Sequence, residues 1–222
     1  MAVQTMIDDA LRYIGISRGK ADEAMQKMIR ETFDEIETLI QPKLTYGLFN
    51  IEKDHETVKL KNTTCTIKSN DLGKLLRHCE RCIIMAATLG IKADLEISRR
   101  QKIDMLNAVV FDACCSVMID KVCDEAEKEL MEGLAKDEYL TMRFSPGYGD
   151  VPLASSRDIL QVLSSEKRIG LSLTASDMLV PTKSITAIVG ISSQKENRQK
   201  SCGRCNLVKT CMYRKRGDRC GL

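Results

Sequence analysis

The sequence predicts an α+β domain: a twisted, mainly antiparallel sheet covered by long helices, in one mixed or antiparallel sheet. Three observations carry this. Residues 44–52 and 57–69 have the alternation and β-branched content of strands, and 184–192 reads as another strand. The apolar run 81–90, closed by Gly90, reads as a buried strand. Long helical patterns at 19–41 and 103–134 lie unevenly between these strands, where a parallel sheet would show regular alternation.

Taken in order, residues 2–15 form a short amphipathic helix. Residues 19–41 form a longer one, with Met25, Met28, Ile29, Phe33, Ile36, Leu39 and Ile40 at helical spacing and Pro42 stopping it. The strands 44–52 and 57–69 follow, then a helix at 71–79 and the buried strand 81–90. Helices at 91–101 and 103–134 come next, the second rich in small residues. After an irregular loop, 154–166 is helical, "IGLSL" is a strand, and 184–192 is the last strand. Hydrophobic periodicity stops at Ser193. The expected division is therefore a domain over 1–192 and a basic, cysteine-rich tail over 193–222.

A chain of 222 residues with 43% hydrophobic side chains can bury one medium core. No run reaches the roughly 18 apolar residues of a membrane span. Asp8 and Asp9 stand where a signal peptide would be apolar, so the expected location is cytoplasmic. The net charge of +3 is uneven. Residues 195–222 hold nine Lys or Arg against two acids, and the rest holds 25 against 29. A basic tail on an acidic body fits a docking arm or metal knuckle, and argues against nucleic-acid binding by the whole fold.

Familiar catalytic signals are missing. There is no Walker sequence, no GxGxxG and no GxSxG, and only His55 and His78 are present. The loop "RFSPGYGDVP" at 143–152 offers other chemistry. Arg143 is a permanent cation able to grip a carboxylate with two prongs. Ser145 and the backbone at Gly147 offer hydrogen bonds, and Tyr148 offers a ring face that attracts cations such as a sulfonium. A plain surface turn is the competing reading of the same residues.

The order of features adds weight to a ligand loop. "AATLG" at 86–90, the helix "DACCSVMIDKVCDEAE", the loop "RFSPGYGDVPL" and "PTKSITAIVGI" at 181–191 resemble the reactivation domain of vitamin B12-dependent methionine synthases, in its small free-standing form. The resemblance spans about residues 70–192. It implies an α+β fold that binds S-adenosylmethionine. Arg143 would face the methionine carboxylate, Ser145 and Gly147 would give main-chain contacts, and Tyr148 would sit where the ligand meets a corrin. The family places an acidic ligand contact on the long helix. The nearest register here is Ser116, with Asp112 and Asp120 a turn to either side, so that role is not carried over. A second tyrosine contact of the family falls on the aliphatic "AIVG" at 187–190.

The function implied by the resemblance is reductive methylation of a partner's corrinoid, for a methionine synthase or a corrinoid methyltransferase, with an external electron donor. The chain would supply positioning and the cofactors the chemistry, which agrees with the missing catalytic dyad. Two other readings stay open: a S-adenosylmethionine-dependent methyltransferase acting on a small molecule, and a non-enzymatic metal-binding adaptor. The tail bears on the last. Cys202, Cys205, Cys211 and Cys220 are spaced by two, five and eight residues, suiting zinc or an iron–sulfur cluster, with free thiols as the alternative.

Overall fold

The computed structural model describes residues 3–17, 19–195 and 209–210. Its elements are α1 (Val3–Ile14), α2 (Glu23–Leu39), β1 (Lys43–Lys53), β2 (Thr57–Leu60), β3 (Thr66–Lys68), α3 (Asn70–Leu75), β4 (Cys79–Thr88), α4 (Ile91–Gln101), α5 (Met105–Glu132), β5 (Tyr139–Leu140), α6 (Ser155–Leu163), α7 (Ser165–Ile169), β6 (Ser172–Leu173), β7 (Leu179–Val180) and β8 (Ser184–Ser192). The main sheet has the order β3-β2-β1-β4-β8-β5, and all its pairings are antiparallel. β6 and β7 form a separate two-stranded ribbon.

β4 explains why the sheet has helices on both faces. Alternate residues of a strand point to opposite sides. In β4, Ile83, Met85 and Ala87 enter a core shared with α1, α2, α4 and α5. Cys82, Ile84 and Ala86 enter a second core shared with α3, α6 and α7. β8 divides in the same way, sending Ala187, Val189 and Ile191 to the first core and Ile188 to the second. The register places Val189 opposite Ile83 and Ile188 opposite Ile84, so both strands agree on which face is which.

Local chemistry sets the ends of the helices. Asp22 accepts from the Met25 amide at 2.8 Å, Ser69 from Leu72 at 2.9 Å and Asp104 from Asn107 at 3.2 Å, each satisfying an orphan donor of a first turn. Lys53 closes the other end of α3, donating from Nζ to the carbonyls of Leu76, Arg77 and Cys79. Arg100 joins three helices. It is 8% exposed, lies over the Phe111 ring at 4.1 Å, and bonds Glu96, Asn107 and Glu35.

The structure departs from the sequence reading in detail. The single strand expected at 57–69 is a hairpin, β2 and β3. Asn62 turns with φ +61, and Thr63 bonds the Leu60 carbonyl through its hydroxyl. The "KNTT" turn chemistry outweighed the β-branched content. The helix expected at 154–166 breaks at Ser164, whose backbone is left-handed, giving α6 and α7. Of "IGLSL", only Ser172 and Leu173 are strand, because Ile169 completes α7 and Gly170 caps it at φ +70. β5 and β7, two residues each, have no periodic signal.

Six cysteines are described, all buried. Cys114, Cys115 and Cys123 lie on α5 in the first core; Cys65, Cys79 and Cys82 lie in the second. Burial pushes the thiols of Cys65, Cys115 and Cys123 up to about 12, so they are un-ionised at neutral pH.

Gly190 is where the second core is tightest. A Cβ there would meet Leu76 Cδ2 at 2.5 Å, Cys79 Sγ at 2.6 Å and Thr141 Cγ2 at 2.9 Å. Gly190→Ala is expected to destabilise the fold by about 1–3 kcal/mol through overpacking. Gly133→Ala, whose new carbon would sit 3.6 Å from the Leu130 carbonyl, is the control expected to change little. Denaturant midpoints of the two variants check this.

Candidate functional site

The loop after α5 is rigidly placed. Phe144 exchanges two backbone hydrogen bonds with Ile188 of β8, at 2.9 and 2.8 Å. Thr141 donates to the Gly190 carbonyl, and its hydroxyl accepts from the Gly190 amide at 2.8 Å. Beyond Phe144 the loop curls on itself: Tyr148 donates to the Ser145 carbonyl, Val151 to Tyr148, and Gly147 to Val151, all near 3 Å.

Both glycines of "GYG" are required by this path. Gly147 has φ +89 and Gly149 φ +53, in the left-handed region that side chains disfavour. A Cβ on Gly149 would also come 2.6 Å from an Asp71 carboxylate oxygen. Asp150 then pins the loop to the start of α3. Its carboxylate accepts from the Ser69 hydroxyl and from the amides of Asn70 at 2.8 Å and Asp71 at 3.2 Å. Desolvation opposes its charge, but these donors prevail and hold the carboxyl below its ordinary 3.8.

Arg143 is the centre of the site, and it is not a free cation. Its guanidinium meets Glu127 at 2.6 Å, Asp124 at 2.9 Å and Asp120 at 3.4 Å, all on α5. Positions 120, 124 and 127 recur every three or four residues and so share one helix face. The Arg143 side chain is 14% exposed and that of Glu127 5%, so the inner part of the cluster is out of water. Tyr13 of α1 reaches in as well, donating from its hydroxyl to the other Asp120 oxygen at 3.2 Å. Burial and the Asp120 charge raise the Tyr13 phenol above its ordinary 10, so it stays a donor.

Three carboxyl groups therefore surround one guanidinium. This arrangement has acid in surplus and suits a bound positive charge near Asp120 and Asp124, whose side chains are 34% and 44% exposed. Tyr148 stands beside the loop, 53% exposed, edge-on to Phe144 with ring centroids 6.1 Å apart. Within the turn, the Ser145 carbonyl accepts from Tyr148, and the Gly147 amide donates to Val151.

The same α5 face continues toward the helix start. Lys183, just before β8, donates from Nζ to Ser116 Oγ at 2.9 Å and pairs with Asp112 Oδ1 at 2.8 Å. Its own segment is held by Asp94 of α4, which accepts from the Thr182 amide and hydroxyl. On its free side β8 is paired through Phe144 and the residues around β5, while strand partners for Ile185–Ala187 come from β4.

The structure thus brings Arg143 and Tyr148 together with residues to which sequence reasoning assigned no role: Asp120, Asp124, Glu127, Tyr13 and Lys183. The acidic recurrence 120, 124, 127 was the available signal, but it reads equally well as a solvated helix face. The four tail cysteines, Cys202, Cys205, Cys211 and Cys220, lie outside the described residues. Among the described residues no group of His, Cys, Asp or Glu is arranged to hold a metal ion, and no helix is long and apolar enough to cross a membrane.

The antiparallel sheet, with a glycine-turned loop set against a long acidic helix, defines an α+β domain with helices on both faces of the sheet. The chain belongs to the family described as vitamin B12 dependent methionine synthase, activation domain, whose match covers residues 99–218. Among solved structures it is similar to a crystal structure of the MetH reactivation domain bound to AdoHcy. That likeness has a TM-score of 0.61 at 13% identity, over 98% of this chain and 84% of the other. No curated protein matches the chain.

Asp150 generates a prediction. Its carboxyl is depressed in the fold, so its contribution is present above the unfolded value and is lost as pH falls through the folded one. Asp150→Asn is expected to lower stability at pH 7 by about 1 kcal/mol, the size of a lost cap. The gap between variant and parent should narrow as pH falls from 3.8 downward, as the parent's carboxylate takes up its proton. Urea midpoints across pH 3–7 check this; an unchanged gap at low pH would contradict it.

Proposed function

We propose that the chain binds S-adenosylmethionine at the Arg143 cluster and serves the reductive reactivation of a partner's corrinoid. Family membership supports the activation role, and the AdoHcy held by the similar reactivation domain supports a ligand of this type. The observation that carries the reading is local: one guanidinium among three carboxyl groups, beside an exposed tyrosine. Such a site answers each end of a zwitterionic sulfonium. Arg143 turns from Asp120, its longest partner at 3.4 Å, to take the carboxylate, while Asp124 takes the ammonium and Asp120 the sulfonium charge. Tyr148 offers a π-face to the sulfonium from the open side, where an acceptor must approach.

In the reaction, an external donor gives one electron to the partner's Co(II). The resulting Co(I) electron pair attacks the sulfonium methyl carbon, the carbon–sulfur bond breaks, and the neutral thioether leaves. The chain's own residues need move no proton. They hold the methyl toward the partner and keep the charged head fixed. The partner is a corrinoid protein, a methionine synthase or a corrinoid methyltransferase. The tail cysteines Cys202, Cys205, Cys211 and Cys220 are proposed as ligands for zinc or an iron–sulfur cluster. Metal analysis after anaerobic purification, with and without residues 194–222, tests them.

Calorimetry with the methyl donor and its demethylated product tests the site. Asp120→Asn and Tyr148→Ala are expected to lower affinity for S-adenosylmethionine about three- to tenfold while leaving S-adenosylhomocysteine nearly unchanged, because only the former carries the sulfonium charge. Equal losses for both ligands would remove the sulfonium from this position. Methylcobalamin absorbance, after mixing with a Co(II) corrinoid protein and a reductant, tests the reaction itself.

Arg143 also holds buried acid. Arg143→Ala is expected to cost about 3–5 kcal/mol, because it takes from buried Glu127 the guanidinium that meets it at 2.6 Å. Adding Glu127→Gln to that variant should recover part of the loss. Melting temperatures of the single and double variants check this.

A further inference from the structure

β1 is longer than its outer neighbour. On one side β4 pairs with it from Lys43 to Asn50. On the other side β2 pairs only with residues 51–53. Among the described residues, no strand lies along the outer edge of 43–49.

One hydrogen bond shows which backbone groups that edge presents. The Lys61 amide donates to the Asn50 carbonyl at 2.9 Å, so Asn50 faces outward, away from β4. In an antiparallel ladder, alternate residues face the same neighbour. Leu44, Tyr46 and Leu48 therefore turn their amides and carbonyls outward as well. The side chains of Tyr46 and Leu48 share a sheet face with their register partners Met85 and Ile83, which enter the helical core. On β1 that face is open, with Tyr46 49% and Leu48 53% exposed. Soluble proteins blunt such edges with proline, bulges or charge. Residues 43–49 contain no proline and one charge, Lys43, and their register with β4 has no shift.

We propose that this edge forms a two-fold dimer, in which β1 of a second copy pairs antiparallel with it about Tyr46 and joins the two main sheets into one.

The ends of the edge select a second copy as the occupant. Pro42 has no amide and stops the edge on one side. The bond from Lys61 to Asn50 stops it on the other. The open window is thus symmetric about Tyr46. A two-fold there sets Tyr46 opposite Tyr46 and Leu44 opposite Leu48. Every outward residue of both chains is then paired, with about six backbone hydrogen bonds across the join. Moving the centre to residue 45 would set Leu48 against Pro42, and moving it to residue 47 would set Leu44 against the Asn50 carbonyl already in use. Apolar side chains fall opposite apolar ones. Lys43 falls opposite Phe49, so no like charges meet. The second strand also begins at Lys43, so it fills the overhang beside β2 without displacing it.

The Arg143 loop is attached to β8, on the far side of β4 from this edge. Pairing through β1 therefore leaves both copies of the loop open, and the dimer does not depend on the S-adenosylmethionine reading. An edge this short gives a weak association, with Kd about 10–100 μM.

Sedimentation velocity of the full chain tests the dimer, under reductant to exclude disulfide links, from about 1 to 300 μM so as to bracket that Kd. The unsubstituted chain is expected to pass from monomer to dimer over this range. Tyr46→Pro removes an outward amide without touching the β4 ladder and is expected to stay monomeric. Tyr46→Lys and Tyr46→Glu each set like charges face to face and are expected to be monomeric alone. Their equimolar mixture sets Lys against Glu across the two-fold and is expected to recover the dimer. Tyr46 is half exposed, so both charged variants should fold, which circular dichroism checks; they carry the test if Tyr46→Pro does not fold. A chain that is monomeric throughout overturns the proposal. So does a dimer that persists in Tyr46→Lys and Tyr46→Glu, which would place the interface elsewhere. Loss of the dimer in both variants without recovery in the mixture overturns the pairing about Tyr46.

Discussion

The ion cluster of Arg143 joins parts of the chain that share no strand or helix. Glu127, Asp124 and Asp120 bring α5 to the loop, and Tyr13 extends the link to α1 through Asp120. Because Glu127 is buried, the cluster costs desolvation that only close partners repay, so its geometry is demanding. That demand makes the loop a fixed object. Its first residues are clamped to β8 by Phe144, and its far end is clamped to α3 by Asp150. Between these clamps the glycines turn the backbone and leave Tyr148 presented.

α5 meets two requirements at once. Val110, Phe111, Cys114, Val117 and Met118 pack into the helical core, while Met105, Val109, Asp112, Asp120 and Asp124 lie on the outward side. A helix used on both sides reads as weakly amphipathic. Its buried side uses small and sulfur-bearing residues, which let the neighbouring helices approach. Arg100 secures the start of α5 by lying against Phe111 and bonding Asn107. The face that carries the polar groups is thereby held against a packed support rather than a loop.

Much of this architecture was legible in the sequence. The buried strand at 81–90 and the strand at 184–192 stood out because both their faces are apolar, which follows from helices covering each side. The irregular loop was legible because Pro146, Gly147 and Gly149 exclude regular structure. Arg143 was recognisable as chemistry, but its company was not. Acids at 120, 124 and 127 look the same on a solvated helix as around an ion pair, and only the return of the chain after β5 tells them apart. The hairpin at Asn62 and the break at Ser164 rest on single residues in left-handed backbone, which window-based periodicity averages away.

The six buried thiols divide evenly between the two faces of the sheet, three beside α5 and three beneath β2, β3 and β4. All are sheltered, and burial keeps Cys65, Cys82, Cys114, Cys115 and Cys123 un-ionised, so they are poor nucleophiles while the protein is closed. Each becomes reactive only when its own layer opens. The chain therefore carries an internal recorder of opening: the order in which Cys114, Cys115 and Cys123 label, relative to Cys65, Cys79 and Cys82, distinguishes a fold that breathes as one unit from one whose two layers part separately.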